Sequence, residues 1–313
     1  MPVILYNYRE ERAGSVRYFS VTETAKRWGL SERAVRNYCA SEKIPGAFLT
    51  GKTWNIPENA VRPGRIDRKG SERNTLPGRL RIEKRDGVLG GIYEEIQVRT
   101  AEECIQERRG SLTEDQIRTI FETGKIGSGG ETVELEDVIT AMNSFCCIDL
   151  ILDNLSRSLN EHMIQELHRT LKSGTQESRK DWYALGEYKK LPNHAESGTG
   201  TAPKETPGAM KRLLDTYRKT PRTLENLLDF QYRFSRIQPF QSGNEGIGSL
   251  ILLRECLSAG ITPVLTGGAQ REEYLRGLSG WETGRERMMT FCAECQQTVS
   301  QGLNRLGIRT GNE

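Results

Sequence analysis

The chain is predicted to be mainly α, as a small helix-turn-helix domain with a short β-hairpin in front and an all-helical domain with a flap segment behind. Two short helical patterns lie either side of Gly29-Leu30, and two β-type runs follow around Thr50-Gly51. From about Gly91 apolar residues recur at helical spacing almost to the C-terminus. Between these parts, residues 61–88 hold Pro63, Gly64, Gly70, Pro77 and Gly78, which read as breaking any regular element. The predicted bounds are a first domain over 1–62, a basic linker over 63–90 and the helical domain over 91–313.

In the first domain, Thr22 is the expected N-cap of a helix that turns Ala25 and Trp28 inward. Ser31 caps a second helix with Val35 and Tyr38 on its buried side. That leaves Glu32, Arg33, Arg36 and Asn37 on the outward face. Arginine can read guanine edges and asparagine adenine edges, so this second helix has the chemistry of a recognition helix. Residues 46–50 and 52–56 then form a wing closed by Pro57. Ser31, Arg33, Arg36, Asn37, Lys43 and Lys52 are the candidate DNA-binding residues.

Charge supports an anionic partner for this half. Net charge is only +3, yet residues 1–85 hold 18 Lys and Arg against 9 Asp and Glu. The linker's basic run would follow a phosphate backbone, giving salt-sensitive affinity. The expected partner is double-stranded DNA, bound by a homodimer on a two-fold site. Neither a signal-peptide pattern nor a long apolar run is present, so a soluble cytoplasmic protein with no membrane partner is expected. Seven scattered cysteines read as reduced and mostly buried, including Cys292-x-x-Cys295, which has no second pair or histidine nearby.

In the helical domain, Thr113 and Gln116 are spaced as a capping box. Val133–Leu155 is expected to be the longest helix, with Val138, Met142, Phe145, Ile148 and Ile151/Leu152 on one apolar face. Another helix runs from His162 to Gly174 and carries His168, which reads as structural. The flap segment over 183–207 is expected to be mobile, because Pro192 and a Gly/Ser/Thr run oppose a regular hairpin; His194 lies within it.

The chain is organised around Gln238-Pro-Phe-Gln-Ser-Gly-Asn244, a tight loop between two helices. The second helix shows an apolar stripe at Ile247, Leu250, Ile251, Leu253 and Leu257, and Gly260 stops it. A glycine-bearing loop entering a helix N-terminus aims unpaired N–H groups at one point, the outline of a phosphate cradle. Ser242, Gly243, Asn244, Gly246, Gly248 and Ser249 are the candidate anion- or nucleotide-binding residues.

Pro239-Phe240, Gly243-Asn244, Gly248 and Leu250 resemble the signature of the Fic family, His-Pro-Phe-x-(Asp or Glu)-Gly-Asn-(Gly or Lys)-Arg-x-Gly-Arg-Leu. Glu-Leu-His-Arg at 166–169, Gly186-Glu-Tyr-Lys and Ala202-Pro occur in the family's order ahead of it, so the resemblance spans about 91–305. Residues 19–60 resemble the excisionase and MerR-like winged helix-turn-helix family, including a Gly-Lys-x-Trp-x-Ile-Pro ending.

The departures from the Fic signature fall on its chemistry. Gln238 stands at the catalytic histidine, Ser242 at the metal-binding acid, Gly246 and Ser249 at the two arginines, and Glu245 at the last loop glycine. In active members the histidine takes a proton from a protein hydroxyl, which attacks the α-phosphate of ATP. A glutamine amide cannot accept that proton, and a serine holds Mg²⁺ poorly. The resemblance thus implies a bacterial-type transcription regulator with a catalytically degenerate Fic domain. It would have no confident catalytic residue, no required cofactor, no metal, and at most weak nucleotide or phosphate binding. Two other readings stay open: a protein adenylyltransferase with an altered site, and a dimerisation or protein-target platform without ligand. Family members are often held off by a helix glutamate paired with a signature arginine. The nearest stretch, Ile105–Gly110, is expected not to serve, since Gly246 and Ser249 offer no side chain to pair with. Beside the cradle, Glu245 leaves two outcomes open: its own carboxylate fills the site, or the backbone donors hold a small phosphate or nucleoside monophosphate.

Overall fold

The computed structural model describes residues 17–41, 44–58, 60, 62, 75–126, 132–193 and 200–305. They fall into two compact units, Met1–Ser71 and Glu72–Glu313.

The first unit runs β1 (Tyr18–Phe19), α1 (Val21–Trp28), α2 (Glu32–Ala40), β2 (Phe48–Thr50) and β3 (Thr53–Pro57). Both helices begin on a serine. Ser20 forms a capping box with Glu23, and the Ser31 hydroxyl accepts from the Ala34 N–H at 3.3 Å. The predicted cap Thr22 is displaced by Ser20 and lies in the first turn of α1, where its hydroxyl donates to Glu32 at 2.8 Å. Gly29 makes the turn at φ 65°, a region that costs a glycine little. The strands form an antiparallel sheet in the order β1-β3-β2, with Phe48 opposite Asn55 and Tyr18 opposite Pro57. Val21, Ala25, Val35, Cys39, Ile44 and Ile56 fill the core, with Trp28 and Tyr38 packed against it.

The second unit opens with a correction. Residues 76–86 of the expected linker form a helix, α3 (Leu76–Asp86). Thr75 caps it, Pro77 falls in the first turn, where its missing N–H is no loss, and Gly87 ends it at φ 62°. Glu83 of α3 is buried, pairs with Arg79 at 2.6 Å and accepts the Tyr93 N–H at 2.8 Å. Proline and glycine at 77 and 78 therefore start an element rather than break one.

Then follow α4 (Ile92–Glu107), α5 (Glu114–Thr123), α6 (Leu135–Asn154), α7 (Glu161–Leu171), a 3₁₀ turn (Glu177–Arg179), α8 (Thr206–Tyr217), α9 (Leu224–Ile237), α10 (Asn244–Ala259), α11 (Ala269–Ser279) and α12 (Trp281–Arg305). Helix α10 packs against α4, α6, α7 and α9. Every residue from Gly246 to Leu257 is buried, so α10 is a central helix and not one with a single inward stripe. Helix α12 exceeds α6 in length, across a break in helical geometry at Gly284. The predicted face of α6 holds at Ile148, Ile151 and Leu152, while Met142 is 55% exposed. Thr113 and Gln116 form their capping box, and the described residues of 183–205 contain no strand. None of the described helices is long and apolar enough to cross a membrane.

Candidate functional site

Helix α9 ends at Ile237, and Gln238 turns the chain out of it in the left-handed region, at φ 47° and ψ 65°. A non-glycine residue there is held by its surroundings. Lys189 supplies part of that hold: its backbone N–H donates to the Pro239 carbonyl at 2.9 Å, and its buried ammonium lies 3.4 Å from the Ile237 carbonyl at the α9 C-terminus. Phe240 is fully buried and stacks on the His168 ring at 3.9 Å between centroids, with 3° between planes.

The Asn244 side chain closes the loop on Phe240: its Oδ1 accepts the Phe240 N–H and its Nδ2 donates to the Phe240 carbonyl, both at 2.9 Å. Gly243, at φ 78°, makes the final turn into α10 and carries no capping side chain. The first N–H groups of α10 point at one place, as the cradle reading requires.

That place is filled by Glu107, the last residue of α4. Its carboxylate accepts the N–H of Glu245 at 3.1 Å and of Gly246 at 2.9 Å. The stretch Ile105–Gly110 thus reaches the loop after all, through backbone donors where no side-chain partner exists. Glu245 is not the plug; its carboxyl lies 3.8 Å from Arg271 and is pushed up by burial and by Glu107's charge. Gly246 is required by packing, since a Cβ would sit 3.1 Å from both Cys104 Sγ and Glu107 and 3.2 Å from Leu171. Gly248, two residues further on, faces Gln231 of α9.

Ser242 gives its hydroxyl proton to Glu177 at 2.7 Å, so the Tyr183 hydroxyl, at 2.9 Å, must donate to Ser242. Glu177 in turn pairs with Lys172 at 2.9 Å, which with the Ser242 bond holds its carboxyl below the usual range despite burial. The other end of this chain is His168. The Gly186 N–H donates to Nδ1 at 3.0 Å, so that nitrogen carries no proton. Burial, then the charge of Lys172, pushes His168 down to about 3. It is neutral, and it positions Phe240.

Ser249 is buried and accepts from Arg271 of α11 at 3.1 Å. Arg271 also pairs with Glu103 of α4 at 3.2 Å, bringing a guanidinium to a place where the sequence motif has none. Sequence reasoning missed Arg271, Lys172, Glu177 and the role of Glu107. Each lies in a charged stretch that looks solvated, and only Lys172, four residues after His168, sits near a feature that drew notice.

Beside the plugged turn is a polar cavity of about 490 Å³, lined among others by Glu107, Lys172, Glu177, Gln238, Gln241 and Ser242. A second cavity of about 210 Å³ lies on another side of the loop, between Phe234, Gln238, Gly248, Arg271, Leu275 and Leu278. Among the described residues no group of three or more His, Cys, Asp or Glu could hold a metal ion. The donors also fit Mg²⁺ poorly, because the Ser242 hydroxyl is spent on Glu177 and that carboxylate on Lys172.

In the first unit, Arg33, Arg36 and Asn37 are exposed on α2 and Lys52 is exposed at the β2–β3 turn. Ser31 is spent as a cap. Lys43 lies outside the described residues, as does His194 of the second unit.

The second unit is therefore an all-helical domain built round a loop that delivers a helix N-terminus to a polar pocket. Residues 158–255 match the model of the Fic/DOC family, and the chain carries a Fic/DOC family domain there. Solved structures share the fold. A Fic domain containing signaling protein from Bacteroides thetaiotaomicron is 20% identical, with a TM-score of 0.57 over 75% of this chain and 91% of that one. Fic-1 from C. elegans is 15% identical, at 0.55 over 77% and 70%. A Fic family protein from Desulfovibrio desulfuricans is 19% identical, at 0.54 over 80% and 78%. No curated protein matches the chain.

Proposed function

We propose that this protein is a DNA-binding transcription regulator whose Fic domain does not transfer nucleotidyl groups. The observation that carries the second half is that Gln238 stands at the loop's base position while Glu107 holds the N–H groups of Glu245 and Gly246. The residue at the base position cannot accept a proton near neutral pH, and the backbone donors that would hold a phosphate already hold a carboxylate. Loss of a general base alone removes roughly 10²–10⁴-fold of rate.

The first half is supported by the outward face of α2, where Arg33, Arg36 and Asn37 lie together, and by Lys52 at the tip of the hairpin. A dimer on a two-fold site would supply the area that one such small unit lacks. The test is fluorescence anisotropy of the full chain with duplexes selected from a random library, repeated across salt. Arg36→Ala should cost about 1–3 kcal/mol on the selected site and relax its sequence preference, while Lys52→Ala should weaken all duplexes alike. No binding of any duplex at low salt would end this reading.

A further inference from the structure

The arginine proposed to read base edges is not free in the uncomplexed unit. One oxygen of the Glu32 carboxylate accepts from Arg36 Nη2 at 2.7 Å, and the other accepts from the Thr22 hydroxyl on α1 at 2.8 Å. The guanidinium of α2 is thereby tied through Glu32 to a different helix. Arg36 remains 57% exposed and Glu32 42% exposed, and the bond to Glu32 uses one of the guanidinium's five donors.

Such a pair does little for stability. An exposed ion pair spaced i, i+4 contributes a few tenths of a kcal/mol at most, and both side chains lose freedom in forming it. Its effect on recognition is larger. An arginine already held in one rotamer loses less freedom when it docks, and its planar fork must meet a base edge in one orientation. The carboxylate also acts on the phosphates, which it repels from every sequence equally.

We propose that Glu32, anchored by Thr22, is a positioning residue that pre-sets Arg36 for base reading and that trades general DNA affinity for discrimination. The proposal rests on the DNA-binding reading of the first unit and names how its specificity is set. The Thr22 hydroxyl, with help from Arg36 and against desolvation, holds the Glu32 carboxyl below its ordinary value. Arg36 is the charged side chain that pairs with this carboxylate.

The two effects have opposite signs, which makes the test selective. With the full chain, Glu32→Gln should bind a shuffled duplex about 2- to 5-fold more tightly, since one repelling charge has gone. The ratio of selected to shuffled affinity should fall about 2- to 10-fold, the cost of ordering one long side chain on docking. Thr22→Val keeps the charge, so it should lower the ratio and leave the shuffled duplex unchanged; Thr22→Ser should restore the ratio. A change in Glu32→Gln that is equal on both duplexes would overturn the proposal. So would a preference moved to a different base pair, which would make Glu32 a reader itself.

A second measurement needs no DNA. Nitrogen relaxation at the Arg36 side chain in the free protein should report a restricted group that becomes mobile in Glu32→Gln and Thr22→Val. Equal mobility in all three would refute the positioning role whatever binds. Restricted motion in a protein that binds no duplex would sink the DNA reading and leave the clamp standing.

Discussion

Replacing Glu107 by alanine separates a filled cradle from an empty one. The native carboxylate makes two charge-assisted bonds, to the N–H groups of Glu245 and Gly246, at a helix N-terminus. Bonds of this kind are worth roughly 1.5–3 kcal/mol each when one partner is removed, and the helix dipole adds about 0.3–1 kcal/mol. Two terms reduce the sum. The exposed N–H groups would be taken up by water entering the polar cavity of about 490 Å³, and the repulsion between Glu107 and Glu245 would vanish. A net competition of about 2–4 kcal/mol remains. An anion displacing Glu107 in the native protein must overcome that amount, so Glu107→Ala should bind inorganic phosphate or AMP about 30- to 1000-fold more tightly. Isothermal titration of the full chain, native and variant, reads this directly, and a thermal melt of each confirms that both fold. If the native protein binds phosphate as tightly as the variant, the carboxylate is not the competitor. If the folded variant binds neither ligand, the backbone donors do not form an anion site.

Two further outcomes follow from the same neighbourhood. Because His168 titrates at about 3 in the folded protein and near 6.5 unfolded, stability is full above about pH 6.5 and falls as pH drops toward 3, since only the unfolded chain takes up the proton. At pH 5 the loss should be about 2 kcal/mol by urea unfolding, and His168→Gln should flatten that slope; an unchanged slope would show that another group dominates. Gln238→His should not give transfer from α-phosphate-labelled ATP, because Glu107 still holds the α10 N–H groups and Ser242 still offers no carboxylate; labelled protein from that single change would refute the account of the site.

What the sequence made legible was local. Gly29 and Gly260 ended helices, Ser31 capped one, and Thr113 with Gln116 built a capping box, because each acts within a few residues of itself. Pro77 was misread for a related reason: the residue is a breaker inside a helix and a starter at its first turn, and its neighbours alone do not say which. Thr22 lost the cap to Ser20, two residues away and backed by Glu23. At the loop, Gly243 turns the chain at φ 78°, while Asn244 commits its Oδ1 and one Nδ2 hydrogen to Phe240 within the loop.

The part that stayed hidden spans long stretches of chain. Glu107 meets Gly246 across 139 residues, and Arg271 meets Glu103 across 168, with no periodicity to announce either. Yet these contacts explain a departure that the sequence presents as bare loss. The Cβ of any residue at 246 would point between Cys104, Leu171 and the Glu107 carboxylate, all within about 3.2 Å. An arginine there would have to pass through the space that Glu107 occupies, so the arrangement needs glycine. The missing side chain and the carboxylate on the backbone N–H groups thus share one space, and an arginine could not be placed at 246 without removing Glu107 or moving the end of α4. That end is anchored: Glu103 and Glu102 accept from Thr266 and Gly268 in the segment leading into α11, at 3.1 and 3.2 Å. Freeing the cradle by shifting α4 would break these bonds and the Arg271 pair together, which is why substitution of Glu107 itself, and not a change of conditions, is the perturbation expected to open the site.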